Sequence, residues 1–192
     1  MVSLLDRLFG RRRGDERADM AFYAAVVTQA RQPGFYADLR VPDTLDGRFE
    51  LIALHVFLVM RRLKGQGATA DQRARRLYEV MIDEFDTSLR EMGAGDTGIG
   101  RRVKTMLRGM HGRIIAYDKA LADPDPRHLE VALDNNLYGT VRAVDPAHLA
   151  AMAGYARATA AALEALPVER IVDGELRFVP VPAGAMTGVS GC

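Results

Sequence analysis

Residues 41–55 read VPDTLDGRFELIALH, and the chain runs on through residue 60 as VFLVM. Pro42 pushes Val41 out of the helical region, so the stretch enters in extended form. From about Asp46 to Lys64 the spacing predicts a helix whose middle, LIALHVFLVM, is apolar nearly all round. Such a helix has no face to offer water and belongs at the centre of a bundle. It is too short to cross a bilayer, which takes about 20 apolar residues. Gly65 and Gly67 end it.

Working outward, a first helix is expected over Glu16–Arg31, with Phe22, Tyr23, Val26 and Val27 inward, stopping before Pro33-Gly34. Phe35–Thr44 reads as irregular. A third helix is predicted over Thr69–Met92, with Leu77, Tyr78, Met81, Phe85, Leu89 and Met92 on one apolar stripe. Glu79, Asp83, Asp86 and Arg90 recur at helical spacing on another face. Gly93 supplies a stop, and Asp96 can cap a fourth helix over Thr97–Leu121. That helix carries a core stripe through Ile99, Val103, Met106, Met110, Ile114, Tyr117 and Leu121, and a small-residue stripe through Thr105, Gly109, Gly112 and Ala116. Glycine inside a helix costs about 1 kcal/mol relative to alanine, so the second stripe predicts a close helix crossing. Asp125-Pro126 and Asp145-Pro146 open two more helices in cap-then-proline order. Val168–Val172 and Glu175–Val179 flank Asp173-Gly174, a pattern that predicts a two-residue β-hairpin. The expected architecture is thus all-α: a single-domain bundle of about six helices with a short C-terminal β-hairpin. Residues 1–15 read as a flexible, basic, amphipathic start, 16–180 as the helical domain, and 181–192 as a disordered tail.

Composition narrows the function. Lys plus Arg number 26 against 25 Asp plus Glu, so no bulk charge drives the chain onto nucleic acid. The single cysteine, Cys192, excludes a disulfide framework and a cysteine metal cluster. The amino terminus lacks a continuous apolar stretch, and the expected place is the cytoplasm, with peripheral contact to the inner membrane open through residues 1–15. His55, His111, His128 and His148 show no helical pairing for a metal. His55 reads as a core histidine bonded to a polar neighbour, with haem ligation as the alternative. Asp83, Glu84 and Asp86 crowd one turn, but three acids on a charged helix ordinarily face water. No phosphate loop, dinucleotide fingerprint or nucleophile elbow occurs. Arg101, Arg102, Lys104, Arg108 and Arg113 make one helix basic, leaving ribosome contact open. Nine methionines are generous for the length, and Met81, Met92, Met106 and Met110 fall on adjacent predicted helices. An open groove between those helices would suit an apolar client helix.

The order of the pieces resembles the ubiquinol–cytochrome c chaperone family. VPDTLDGRFELIALH is similar to that family's extended entry into its central helix. LYEVMIDEFDTSLREMGAGD, residues 77–96, is similar to its most characteristic block, and RRVKTM at 101–106 with Gly112-Arg113 falls where the family has a basic helix. The resemblance implies a non-catalytic assembly chaperone of the cytochrome bc1 complex, needing no cofactor. It would bind newly made cytochrome b or another membrane cytochrome subunit, with a small partner protein, near the ribosome. Arg48, Asp86, Arg90, Glu91, Met92, Met110 and Arg113 are the candidate client- or partner-binding residues, chosen from the signature blocks and the methionine-rich helices. The charged ones could instead form buried ion pairs that lock helices together. A haem-binding bundle using His55 or His111 and a ribosome-associated biogenesis factor are the alternative classes.

Overall fold

A computed structural model describes residues 4–91 and 97–183. It is all-helical. The helices are α1 (Leu4–Ala30), α2 (Pro33–Ala37), α3 (Leu45–Leu63), α4 (Ala68–Glu91), α5 (Thr97–Ala122), α6 (Pro126–Asn136), α7 (Pro146–Glu164) and α8 (Val168–Val172). The central helix is α3, and every residue from Leu51 to Val59 is buried. α1, α4, α5, α7 and α8 all pack on it, while α6 bridges α5 and α7.

The entry into α3 explains its sequence. Thr44 accepts a hydrogen bond from the Gly47 backbone N–H at 3.2 Å, closing the first turn. The Pro42 carbonyl then folds against that turn so closely that a Cβ on Gly47 would stand 2.0 Å from its oxygen. Only glycine fits there. The two Asp-Pro openings behave as read: Asp125 accepts from Arg127 N–H and Asp145 from Ala147 N–H, each with proline in the first turn.

Three expectations need correction. The segment after Arg31 is not wholly irregular, because Pro33 starts the single-turn α2 and buries Phe35 completely. Arg40, with φ of 57°, then turns the chain in the left-handed region. The C-terminal β-hairpin does not form, and there is no strand among the described residues. Pro167 instead precedes helix α8, which drives Ile171 into the core. The Asp173-Gly174 pair is that helix's stop: Gly174 N–H bonds Ile171 O at 3.0 Å, Glu175 N–H bonds Arg170 O at 2.9 Å, and Gly174 has φ of 105°. Those two bonds are the Schellman pattern of a helix end. Residues 175–183 continue as an extended strap whose Leu176, Phe178, Val179 and Val181 pack on the core. Lastly, the small-residue stripe of α5 makes no close crossing at Gly112, which has nothing within 4 Å of where a Cβ would sit. Gly109 makes room for a side chain of its own helix, Arg113. The predicted tail lies outside the described residues from 184 onward, as does Met92.

Candidate functional site

Three buried polar contacts fix the helices. On α1, Asp19 is 8% exposed and takes Arg73 at 2.6 Å and Arg76 at 3.0 Å, both from α4. The Arg73 guanidinium also lies over the Phe22 ring, 4.4 Å from its centroid. Between α3 and α5, Glu50 accepts Arg113 through both carboxylate oxygens, with Nε at 2.7 Å from Oε2. Burial pushes the Glu50 carboxyl above its ordinary range, and the Arg113 hydrogen bonds oppose that rise. The third contact joins α1, α3 and α7. His55, fully buried, has Nδ1 2.7 Å from Leu51 O and Nε2 2.7 Å from the Tyr155 hydroxyl. Gln29 donates to that same hydroxyl oxygen at 3.0 Å. The chemistry assigns a neutral ring with the proton on Nδ1: Nδ1–H donates to the carbonyl, and Nε2 accepts from the phenol. Burial lowers the His55 pKa to about 4, against a rise from the Leu51 bond. Phe35 meets both rings edge-on at 5.3 and 5.0 Å, and Phe178 of the strap closes over the imidazole at 5.5 Å. Both His55 nitrogens are engaged, so the ring has no lone pair to offer an iron. His111, the other haem candidate, is exposed on α5.

These contacts leave open one groove of about 310 Å³ between α3, α4 and α5, where the sequence placed one but lined by Phe57, Met60, Ala74 and Ile114, and another of about 340 Å³ between α1, α3 and α4. Met20, Tyr23 and Val27 of α1, Leu45 and Ile52 of α3, and Phe85 of α4 make the apolar lining of this second groove. Phe85 is held edge-on to Phe49 at 4.8 Å, and Phe49 in turn lies under Arg113. Met20 is 41% exposed. Arg31, Arg48 and Glu84 supply charge at the edge. Burial raises the Tyr23 phenol to about 12, with the Glu84 carboxylate adding to the rise. Arg31 and Arg48 also line a larger neighbouring cleft of about 740 Å³ together with Tyr36 and Asp43.

The predicted site residues divide. Arg48 lines the groove and pairs with Asp43 at 2.6 Å, both well exposed. Asp86 and Arg90 pair with each other at 2.5 Å on the outer face of α4, and Glu91 is exposed beside them. Met110 is fully buried and offers no surface. Arg113 sits in the Glu50 contact, which is a helix lock. Met81 is likewise core, so the methionines of α4 and α5 with described side chains build the interior. Met20 was not singled out in the sequence, although a signal existed. α1 carries Phe22, Val26 and Ala30 on its core line and Met20, Tyr23 and Val27 on a second line beside it. That apolar arc is wider than one covered face requires.

Fold and groove together define a class: an all-helical bundle tied by buried polar contacts, with a charge-edged apolar groove open on its surface. The chain belongs to the ubiquinol–cytochrome C chaperone family, whose model matches residues 37–178. It is 24% identical over 165 residues to ubiquinol–cytochrome c reductase complex assembly factor 1 of Mus musculus, covering 85% of this chain and 55% of that protein. It is 27% identical over 152 residues to mitochondrial protein CBP3 of Saccharomyces cerevisiae, covering 76% of this chain and 44% of that one. The chain thus spans about half the length of these two relatives. The crystal structure of the Cbp3 homolog from Brucella abortus matches with a TM-score of 0.78 and 32% identity, over 93% of this chain and 98% of that one. The family is one of assembly chaperones for the ubiquinol–cytochrome c reductase complex. Among the described residues, no helix is long and apolar enough to cross a membrane.

Proposed function

We propose that this chain is a non-catalytic assembly chaperone that shelters an apolar segment of newly made cytochrome b, or of another membrane cytochrome subunit, before the bc1 complex is complete. The observation that carries this reading is the open α1–α3–α4 groove in a member of this family. Its apolar lining is of the kind that receives the apolar face of a helix. Arg48 stands at the groove, and Asp86, Arg90 and Glu91, exposed at the end of α4, are assigned to a small partner protein, as is Met92 from its place in the sequence. Residues 1–15 would hold the molecule on the inner membrane from the cytoplasmic side through apolar and arginine contacts. A ribosome contact is favoured by the exposure of Arg101 and Arg108 on α5, and would weaken steeply with salt.

The test is genetic and spectroscopic. Deleting the gene in its host should lower assembled bc1 complex, read by the haem-b spectrum and subunit blots of membranes. The wild-type chain should restore it, and Met20→Glu/Val27→Glu should not, while remaining folded. Normal bc1 content without the gene would refute the assembly role.

A further inference from the structure

The groove has a polarity that its apolar lining does not account for. Two guanidiniums, Arg31 and Arg48, line both the apolar groove and the neighbouring polar cleft. The two are not equivalent. Arg48 already has an acidic partner in Asp43, and that pair is mostly exposed, with side chains 60% and 58% accessible. An exposed pair of this kind contributes little and exchanges readily. Arg31 is exposed on the last turn of the α1 region and makes no ion pair among the described residues. Its electrostatic neighbours are the Tyr23 and Tyr36 phenols, which are neutral at physiological pH. The one acid in the apolar groove, Glu84, comes from the α4 wall, and the polar cleft includes no α4 residue. Asp43 offsets Arg48 and Glu84 stands on the opposite α4 wall, so the boundary between the two spaces holds one arginine in an exposed, exchangeable pair and one, Arg31, outside any ion pair among the described residues.

Resting on the proposed client-binding role, we infer that the groove takes a helical segment whose apolar stripe ends in an acidic side chain, with that carboxylate seated between Arg31 and Arg48. The stripe covers Met20, Tyr23, Val27, Ile52 and Phe85; from Met20 to Arg31 the α1 axis advances about 16 Å, or three turns of helix. The client's carboxylate replaces Asp43 on Arg48 and gives Arg31 its missing partner. A guanidinium pair receives a planar carboxylate through fixed N–H forks, which sets the register of the segment as well as its charge. A lysine at the same place would face two like charges.

Three fluorescein-labelled helical peptides of about 18 residues test this, about five turns each. They share one leucine and alanine stripe and differ in the flanking residues: glutamates, glutamines or lysines. With the full chain, fluorescence anisotropy should show the glutamate peptide binding roughly tenfold tighter than the glutamine peptide, the size expected of one or two part-exposed charge pairs. That advantage should shrink as salt rises, in the wild-type chain alone. Arg31→Glu/Arg48→Glu, at two exposed positions and with an unchanged melting curve, should invert the order in favour of lysine. Equal binding of all three peptides at low salt overturns the charge inference while the groove reading stands. Binding by none of them, or binding untouched by Met20→Glu/Val27→Glu, refutes the groove reading and the inference with it.

Discussion

At the scale of single residues, Arg113 shows how a charge conspicuous in the sequence is absorbed by the interior. Its partner Glu50 is 5% exposed, so removing the guanidinium leaves a buried carboxylate uncompensated. Arg113→Ala should cost about 3–5 kcal/mol in denaturant unfolding, and Glu50→Leu/Arg113→Met should recover most of the loss. Gly109 belongs to the same unit, since a Cβ there would stand 2.3 Å from the Arg113 Nη1. Gly47→Ala meets backbone rather than a side chain, and should lower the unfolding free energy by about 3 kcal/mol through overpacking. His55 gives a pH signature. Its folded pKa of about 4 lies below the free value of 6.5, so the unfolded chain binds the proton first as pH falls. The stability held by the neutral ring is complete above pH 6.5 and is lost on the way down to about 4. Between about pH 6.5 and pH 5 the loss should be about 2 kcal/mol, and His55→Leu should flatten that slope. The sequence identified His55 as a core histidine, but not its bond to Tyr155, one hundred residues away.

At the scale of elements, legibility followed locality. The helix starts at Asp125 and Asp145 were readable because a cap and its first turn are neighbours in sequence, whereas the Thr44 cap was placed in the irregular stretch before its helix. The C-terminal reading failed because Asp-Gly serves two local structures, a hairpin turn and a helix stop. What separates them is whether residues 168–172 find a sheet or a core, and Ile171 finds a core. Gly174→Val puts a branched side chain at φ of 105°, and should cost at least about 1–2 kcal/mol by thermal unfolding. The glycines of α5 misled for a similar reason. Spacing alone does not say whether the missing Cβ admits another helix, a guanidinium or nothing at all. The α1–α3–α4 groove was not legible: the sequence pointed to a groove between the helices that are α4 and α5, Tyr23 and Val27 read as core, and Met20 drew no reading.

At the scale of the whole molecule, stability and client capture should separate. Met20 lies on the open face, so Met20→Glu alone should change the unfolding midpoint by the equivalent of about 0.5 kcal/mol or less. Its effect should appear instead in bc1 content when the variant replaces the wild-type gene. Loss of stability in step with loss of complex would assign the groove to the core. The division arises because the contacts that tie the bundle are long-range, while the groove lies between helices those contacts have already placed. One of those contacts bears on how the protein itself is born. Gln29, His55 and Tyr155 close only when α7 has joined α1 and α3, with Phe178 arriving later still. At roughly 5–20 residues per second of translation, the 100 residues from His55 to Tyr155 take about 5–20 s to emerge. During that interval the nascent chain has its central helix out of the ribosome with the α7 side of its cover still unmade.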